Sequence, residues 1–185
     1  MNVEKSGCDI PESCTRSIPI WVVLLDNIPT LILYILGAAL LLPFGKIWAV
    51  LLFMYSLLSV VLFWKRICPY CHHYGKKTCP CGYGAVSSLF FKSKSAGSND
   101  FRRIFKRNII IVFPSWFVPF IAGGYLLLRD FNISRLWLFI VFCAIGFIFI
   151  PLISKLVGCR NCSIKDECPW MTKSEVRWFF NRVYR

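Results

Sequence analysis

Four of the chain's ten cysteines crowd into fourteen residues: Cys68-Pro69-Tyr70-Cys71, a seven-residue gap, then Cys79-Pro80-Cys81-Gly82. Two hooks this close can aim four thiolates at one centre. Tetrahedral tetrathiolate sites are built this way, with metal–sulfur distances of ~2.3 Å for zinc. His72 and His73 lie in the gap, where they could replace a thiolate or simply be exposed loop residues. A second group, Cys159-Arg160-Asn161-Cys162 followed by Cys168-Pro169-Trp170, supplies three thiols. Its fourth ligand would have to come from elsewhere, and Cys8 and Cys14 are the available lenders. A Cys-x2-Cys-x5-Cys-Pro run suits an iron–sulfur cluster held by three local thiolates and one distant one, and it suits zinc equally. Cys143 sits alone in an apolar run and reads as a small packing residue.

The two hooks resemble the knuckles of zinc ribbons and rubredoxins over about fifteen residues, a likeness that implies a metal site and no more. Cys68-Pro69-Tyr70-Cys71 is also similar to the active-site string of glutaredoxins. That redox chemistry requires a βαβ fold to set the thiolate at a helix N-terminus, and the residues around this string are too few to build one. Zinc and iron–sulfur take the same four thiolates, so ligand type does not separate them. Nearly pure sulfur ligation beside a bilayer, where a redox centre could meet a quinone-like carrier, leans toward iron–sulfur. Paired knuckles that end in Gly lean toward structural zinc.

Whether these thiols bind metal or pair as disulfides depends on the compartment they face, and the spans decide that. The 185 residues are 57% hydrophobic, above the about 45–50% of soluble domains. Four runs fit the roughly 20 residues needed to cross a bilayer: 19–43, 47–64, 109–128 and 135–157. The first is interrupted by Asp26 and Asn27 and followed by Pro29, which predicts an interfacial entry with the bilayer reached near Ile28. Glu4, Asp9 and Glu12 offset Lys5 and Arg16, so the head is not read as a cleavable signal.

Charge orients the spans. The net charge is +13, with ten Lys/Arg between residues 65 and 107 and seven from Lys155 onward. The two hairpin turns hold only Lys46, Arg129 and Arg135. The positive-inside rule therefore places both termini and the central loop in the cytoplasm, where thiols stay reduced. Basic residues that flank spans point to topology and contact with anionic lipid headgroups rather than to nucleic acid. Trp21, Trp48, Trp64 and Trp137 fall near span ends, as interfacial belts require, while Trp116 lies deeper and should pack between helices. Pro114, Pro119 and Gly123-Gly124 should kink the third span and let helices approach closely.

The chain thus divides into a head with Cys8 and Cys14 (1–17), a first transmembrane hairpin (18–64), a cysteine-rich loop with a basic linker (65–108), a second hairpin (109–157), and a tail with the cysteine triplet (158–185). Asp100 could cap a short basic helix carrying Phe101, Ile104 and Phe105 into the third span. In the tail, Thr172 and Glu175 form a capping box, and Val176, Phe179, Phe180 and Val183 share one face of an amphipathic helix. That helix would lie on an anionic membrane surface or dock on a partner subunit.

No histidine lies in any span, which excludes a bis-histidine membrane haem, and Asp26 is the only acidic residue within one. An intramembrane carboxylate is a functional candidate by default, unless it marks a helix start or pairs with a basic neighbour. No phosphate-binding loop, catalytic triad or carboxylate pair is present. The expectation is an all-α cell-membrane protein with four transmembrane helices, a cytoplasmic cysteine-rich metal module and a C-terminal amphipathic helix. It reads as an electron-transfer or accessory subunit rather than a stand-alone enzyme, with a protein partner at the cytoplasmic face. The alternatives are a structural zinc scaffold and a membrane thiol-disulfide oxidoreductase.

Overall fold

The computed structural model describes residues 18–94 and 98–159, all helices and turns without a strand among them. The first hairpin pairs α1 (Ile20–Leu41) with α2 (Lys46–Arg66). A short α3 (Tyr83–Phe90) follows the cysteine hooks. The second hairpin is built from α4 (Ser98–Asn108) leading into α5 (Pro114–Arg129), then α6 (Ile133–Cys143) and α7 (Ile150–Ile153). Four helices are long and apolar enough to cross a membrane: Ile20–Phe44, Lys46–Tyr70, Phe101–Arg129 and Ile133–Leu156. Their outer faces expose apolar side chains such as Leu24, Ile28, Leu31 and Ile35 of α1 and Val50, Leu51, Met54 and Leu58 of α2. In lipid these rows face hydrocarbon and cost nothing to leave uncovered.

α1 is the hub and packs against α2, α5, α6 and α7. Leu33 and Leu40 of α1 are buried with Phe142 and Ile150 of the fourth span, and Trp116 packs against that cluster as the sequence predicts. Small residues set the spacing, because dispersion contacts between close backbones drive association when lipid tails are as apolar as leucine. A Cβ on Gly37 would sit 3.2 Å from Pro119, and one on Gly123 would sit 2.6 Å from the Phe139 ring. Gly124 faces open space, so only one glycine of the expected pair serves a close approach.

α1 departs from the sequence expectation. The interruption expected at Asp26 and Asn27 does not break the helix, which runs from Ile20 through both and the buried Pro29. Its polar side chains return to the helix: Asn27 Nδ2 donates to Val23 O at 2.7 Å and Thr30 Oγ1 to Asp26 O at 3.0 Å. Such bonds satisfy the groups that would otherwise break a helix in a dry environment.

The third span breaks just before Pro114, while α5 runs on through Pro119 and Gly123-Gly124 without the break expected there. A 3₁₀ turn at Ile109–Ile111 separates α4 from α5, and Tyr55 Oη of α2 donates to the Ile111 carbonyl at 2.8 Å. α4 begins at Ser98, so Asp100 lies in its first turn and is not its cap. In the fourth span two π-helical segments, Ala144–Phe149 and Ser154–Cys159, flank α7. Pro151 offers no N–H and its ring clashes with the carbonyl four residues back, a conflict that a wider turn relieves. The N–H of Ile150 accordingly reaches Ile145 O, five residues back.

Both hairpin turns close locally. The first uses a 3₁₀ turn, Leu42–Phe44, and Gly45 at φ +127°, a conformation that side chains other than glycine's rarely tolerate. The second is held by Asn132, whose side chain accepts from Ser134 N–H at 2.9 Å, and by an Arg135–Asp130 ion pair.

Candidate thiol module

The cysteine hooks form a compact module on one end of the bundle. Cys68 follows directly from α2 in a 3₁₀ turn, with Cys71 N–H donating to Cys68 O at 3.0 Å. Cys68 is buried. The second hook folds on itself through Gly82 N–H to Cys79 O at 3.0 Å. The two hooks are laced together by Gly75 N–H to Gly84 O at 3.1 Å.

Two glycines make this lacing possible. Gly82 has φ +73°, and a Cβ there would lie 2.8 Å from Val23 Cγ1 of α1. A Cβ on Gly84 would lie 2.5 Å from the backbone oxygen of His73, closer than real atoms approach. The left-handed turn at Gly82 also turns backbone N–H groups toward a sulfur. Gly84 N–H donates to Cys79 Sγ at 3.4 Å, and the amides of Cys81, Gly82 and Tyr83 lie on the same thiol. Burial pushes the Cys79 thiol above its ordinary pKa, while these amides pull it back toward the thiolate.

Cys68 lies within electrostatic reach of both Cys71 and Cys79. Cys81 stands beside Tyr83, whose phenol also feels Asp26 and Tyr34 and is pushed up chiefly by burial. All four hook cysteines and Cys143 are unbridged thiols. Among the described residues, no three Cys, His, Asp or Glu side chains converge tightly enough to hold a metal ion as they stand. Cys143 packs part-buried against the Leu33–Phe142 cluster, as expected of a filler. Cys159 ends the last helical segment, and Cys8, Cys14, Cys162 and Cys168 lie outside the described residues, as does the amphipathic tail.

The two histidines differ. His72 is exposed, as a loop residue should be. His73 is buried, and its Nδ1 shares a hydrogen bond with Thr78 Oγ1 at 2.8 Å. Burial, with His72 and Lys76 nearby, holds His73 below its ordinary pKa, so it is a neutral strut inside the loop.

Long-range hydrogen bonds fasten the module to the bundle. Ile18 N–H donates to Lys77 O at 2.9 Å, Asn27 Nδ2 to Cys81 O at 3.0 Å, Ser87 Oγ to Trp64 O at 2.8 Å, and Lys94 N–H to Pro69 O at 3.0 Å. Tyr74 Oη donates to Phe91 O. Trp64 turns inward onto Tyr83 in an edge-to-face contact rather than standing free in an interfacial belt like the exposed Trp21, Trp48 and Trp137. Beside Asn27, Asp26 Oδ1 accepts from Ser154 Oγ at 2.7 Å. The start of α1 therefore touches both the module and the end of the fourth span, and brings the chain leading to Cys159 to the same end of the bundle.

Sequence reasoning missed α3, which starts inside the stretch read as a cysteine-rich loop. The signal was there in small residues, Gly84 and Ser87, spaced to share one buried helix face. Comparison with known protein families, characterised proteins and solved structures gives no match.

Proposed function

We propose that the chain is an integral membrane metal–thiolate protein that holds an iron–sulfur cluster at the cytoplasmic face and serves as an electron-transfer or accessory subunit. The carrying observation is a buried Cys68 with Cys71 and Cys79 each within its electrostatic reach, and a backbone amide, Gly84 N–H, on the Cys79 sulfur. An amide placed there stabilises a thiolate that burial would otherwise discourage, and it is a lever on the potential of a bound cluster. Cys68, Cys71, Cys79 and Cys81 would be the ligands, and metal binding would supply the final convergence of the hooks. A bound cluster would supply one-electron transfer at the membrane surface. Cys159, Cys162 and Cys168, with Cys8 or Cys14, would form a second site. The cytoplasmic assignment rests on the charge asymmetry of the loops.

A structural zinc reading is favoured by a different observation: the module joins α1, α2 and α3 through hydrogen bonds at Ile18, Asn27 and Ser87. A metal there would staple helix ends and present a basic docking face to a protein partner. Anaerobic purification of the full chain, with iron, sulfide and zinc analysis and an optical spectrum, separates the two. The iron–sulfur reading expects a brown protein with stoichiometric iron and sulfide, depleted in Cys79→Ser. A colourless protein with stoichiometric zinc supports the staple. A metal-free protein that reversibly forms a Cys68–Cys71 bridge overturns both in favour of a thiol oxidoreductase.

A further inference from the structure

The apolar and charged faces of α4 have different fates. Phe101 and Phe105 stack on each other, and Phe105 meets Phe63 of α2 edge-on with centroids 6.3 Å apart. Asn108 Nδ2 folds back to Ile104 O at 2.8 Å. The apolar side of α4 is thus turned toward the bundle through Phe105, with Phe101, Ile104 and Phe105 all half-buried. Arg102, Arg103, Lys106 and Arg107 are all exposed on the other side. Lys65 and Arg66, at the end of α2, are exposed nearby.

The depth of this basic face follows from length. The third span with α4 covers 29 residues, Phe101–Arg129. At about 1.5 Å per residue that is ~43 Å, against a hydrocarbon core of about 30 Å. The excess of ~13 Å corresponds to about two and a half helical turns, close to the part of α4 from Phe101 to Asn108 that precedes the break at Ile109–Ile111. On this reckoning the four guanidinium and ammonium groups fall at headgroup depth, on a helix whose Phe105 is held against Phe63 of α2.

The geometry points to α4 as a binding site for anionic phospholipid headgroups, with Arg102, Arg103, Lys106 and Arg107 as the phosphate ligands. This site is independent of whether the cysteines hold metal. An ordinary interfacial helix gains affinity by burying its apolar face in the bilayer. Here that face is already used, so binding depends on charge and is selective for headgroup sign. A basic side chain near an anionic surface contributes about fivefold in affinity, an effect that fades with salt.

The test uses the full chain in neutral detergent, with native mass spectrometry counting retained phosphatidylglycerol against phosphatidylcholine. The wild type should retain phosphatidylglycerol preferentially. Arg103→Gln or Lys106→Gln alone should each lower that preference by about fivefold, and the fourfold Gln variant should abolish it. Lys46→Gln with Arg129→Gln, at the far end of the bundle, should leave it unchanged. Equal retention of both lipids by the wild type would overturn the proposal. So would a preference unmoved by the single α4 variants, or α4 variants that keep lipid selectivity but lose an acidic protein partner.

Discussion

The two ends of the bundle solve the same problem, joining helices, by different means. At the far end each hairpin is closed by residues adjacent in sequence: Gly45 with its 3₁₀ turn, and Asn132 with the Asp130–Arg135 pair. At the thiol end the contacts are long-range. Ile18 reaches Lys77, Asn27 reaches Cys81, Ser87 reaches Trp64 and Asp26 reaches Ser154. A few residues adjacent in sequence suffice to turn a chain around. The elaboration at the other end, with two glycines that tolerate no side chain, holds thiols in a defined relation to the helix ends.

If that contrast is correct, substitutions at the thiol end should cost more and should act on the thiols. The largest effect is expected for Gly84→Ala, whose Cβ would strike the His73 carbonyl. It should cost about 2–3 kcal/mol of module stability, read as faster maleimide labelling of Cys68 and Cys79 with the helices intact. Gly82→Ala should behave alike, since it combines a left-handed backbone with a clash on Val23. An unchanged labelling rate in both variants would break the comparison.

Next in size is Gly123→Ala, which should cost about 1–2 kcal/mol in mixed-micelle unfolding because the Phe139 ring must move. Gly124→Ala, facing open space, is its neutral control. Ser154→Ala should cost about 0.6 kcal/mol, the usual worth of a hydrogen bond between membrane helices, and should raise the labelling of Cys159. The smallest effect belongs to the far end. Arg135→Gln removes a largely exposed ion pair and should change stability by at most about 0.5 kcal/mol, with no effect on any thiol.

The spans were legible because their signal is redundant: many apolar residues in a row point to the same answer. The single residues that organise the thiol end were harder to read. Asp26 and Asn27 look like interruptions in sequence, and they turn out to be the residues by which α1 grips Ser154 and Cys81. His73 looks like a loop residue, yet the loop closes over it and ties it to Thr78. Trp64 sits where an interfacial tryptophan belongs, but Tyr83, from a helix inside the expected loop, draws it inward. Thiol spacing identified the hooks. The amides that surround Cys79 depend on the turn at Gly82, and local spacing cannot report a tertiary approach.

The widened turns of the fourth span also set a phase. An α-helix advances by ~100° per residue, so each turn that accommodates one extra residue rotates everything beyond it by about that angle. Ser154 lies beyond the first such segment, Ala144–Phe149, and meets Asp26 only after that rotation. Replacing Pro151 so that Ala144–Phe149 winds as a regular α-helix, with no residue removed, would carry Ser154 about a quarter-turn away from α1, along with the chain that leads to Cys159. The bulge works as a vernier: the winding of a single turn selects which side of the fourth span faces α1 at Ser154.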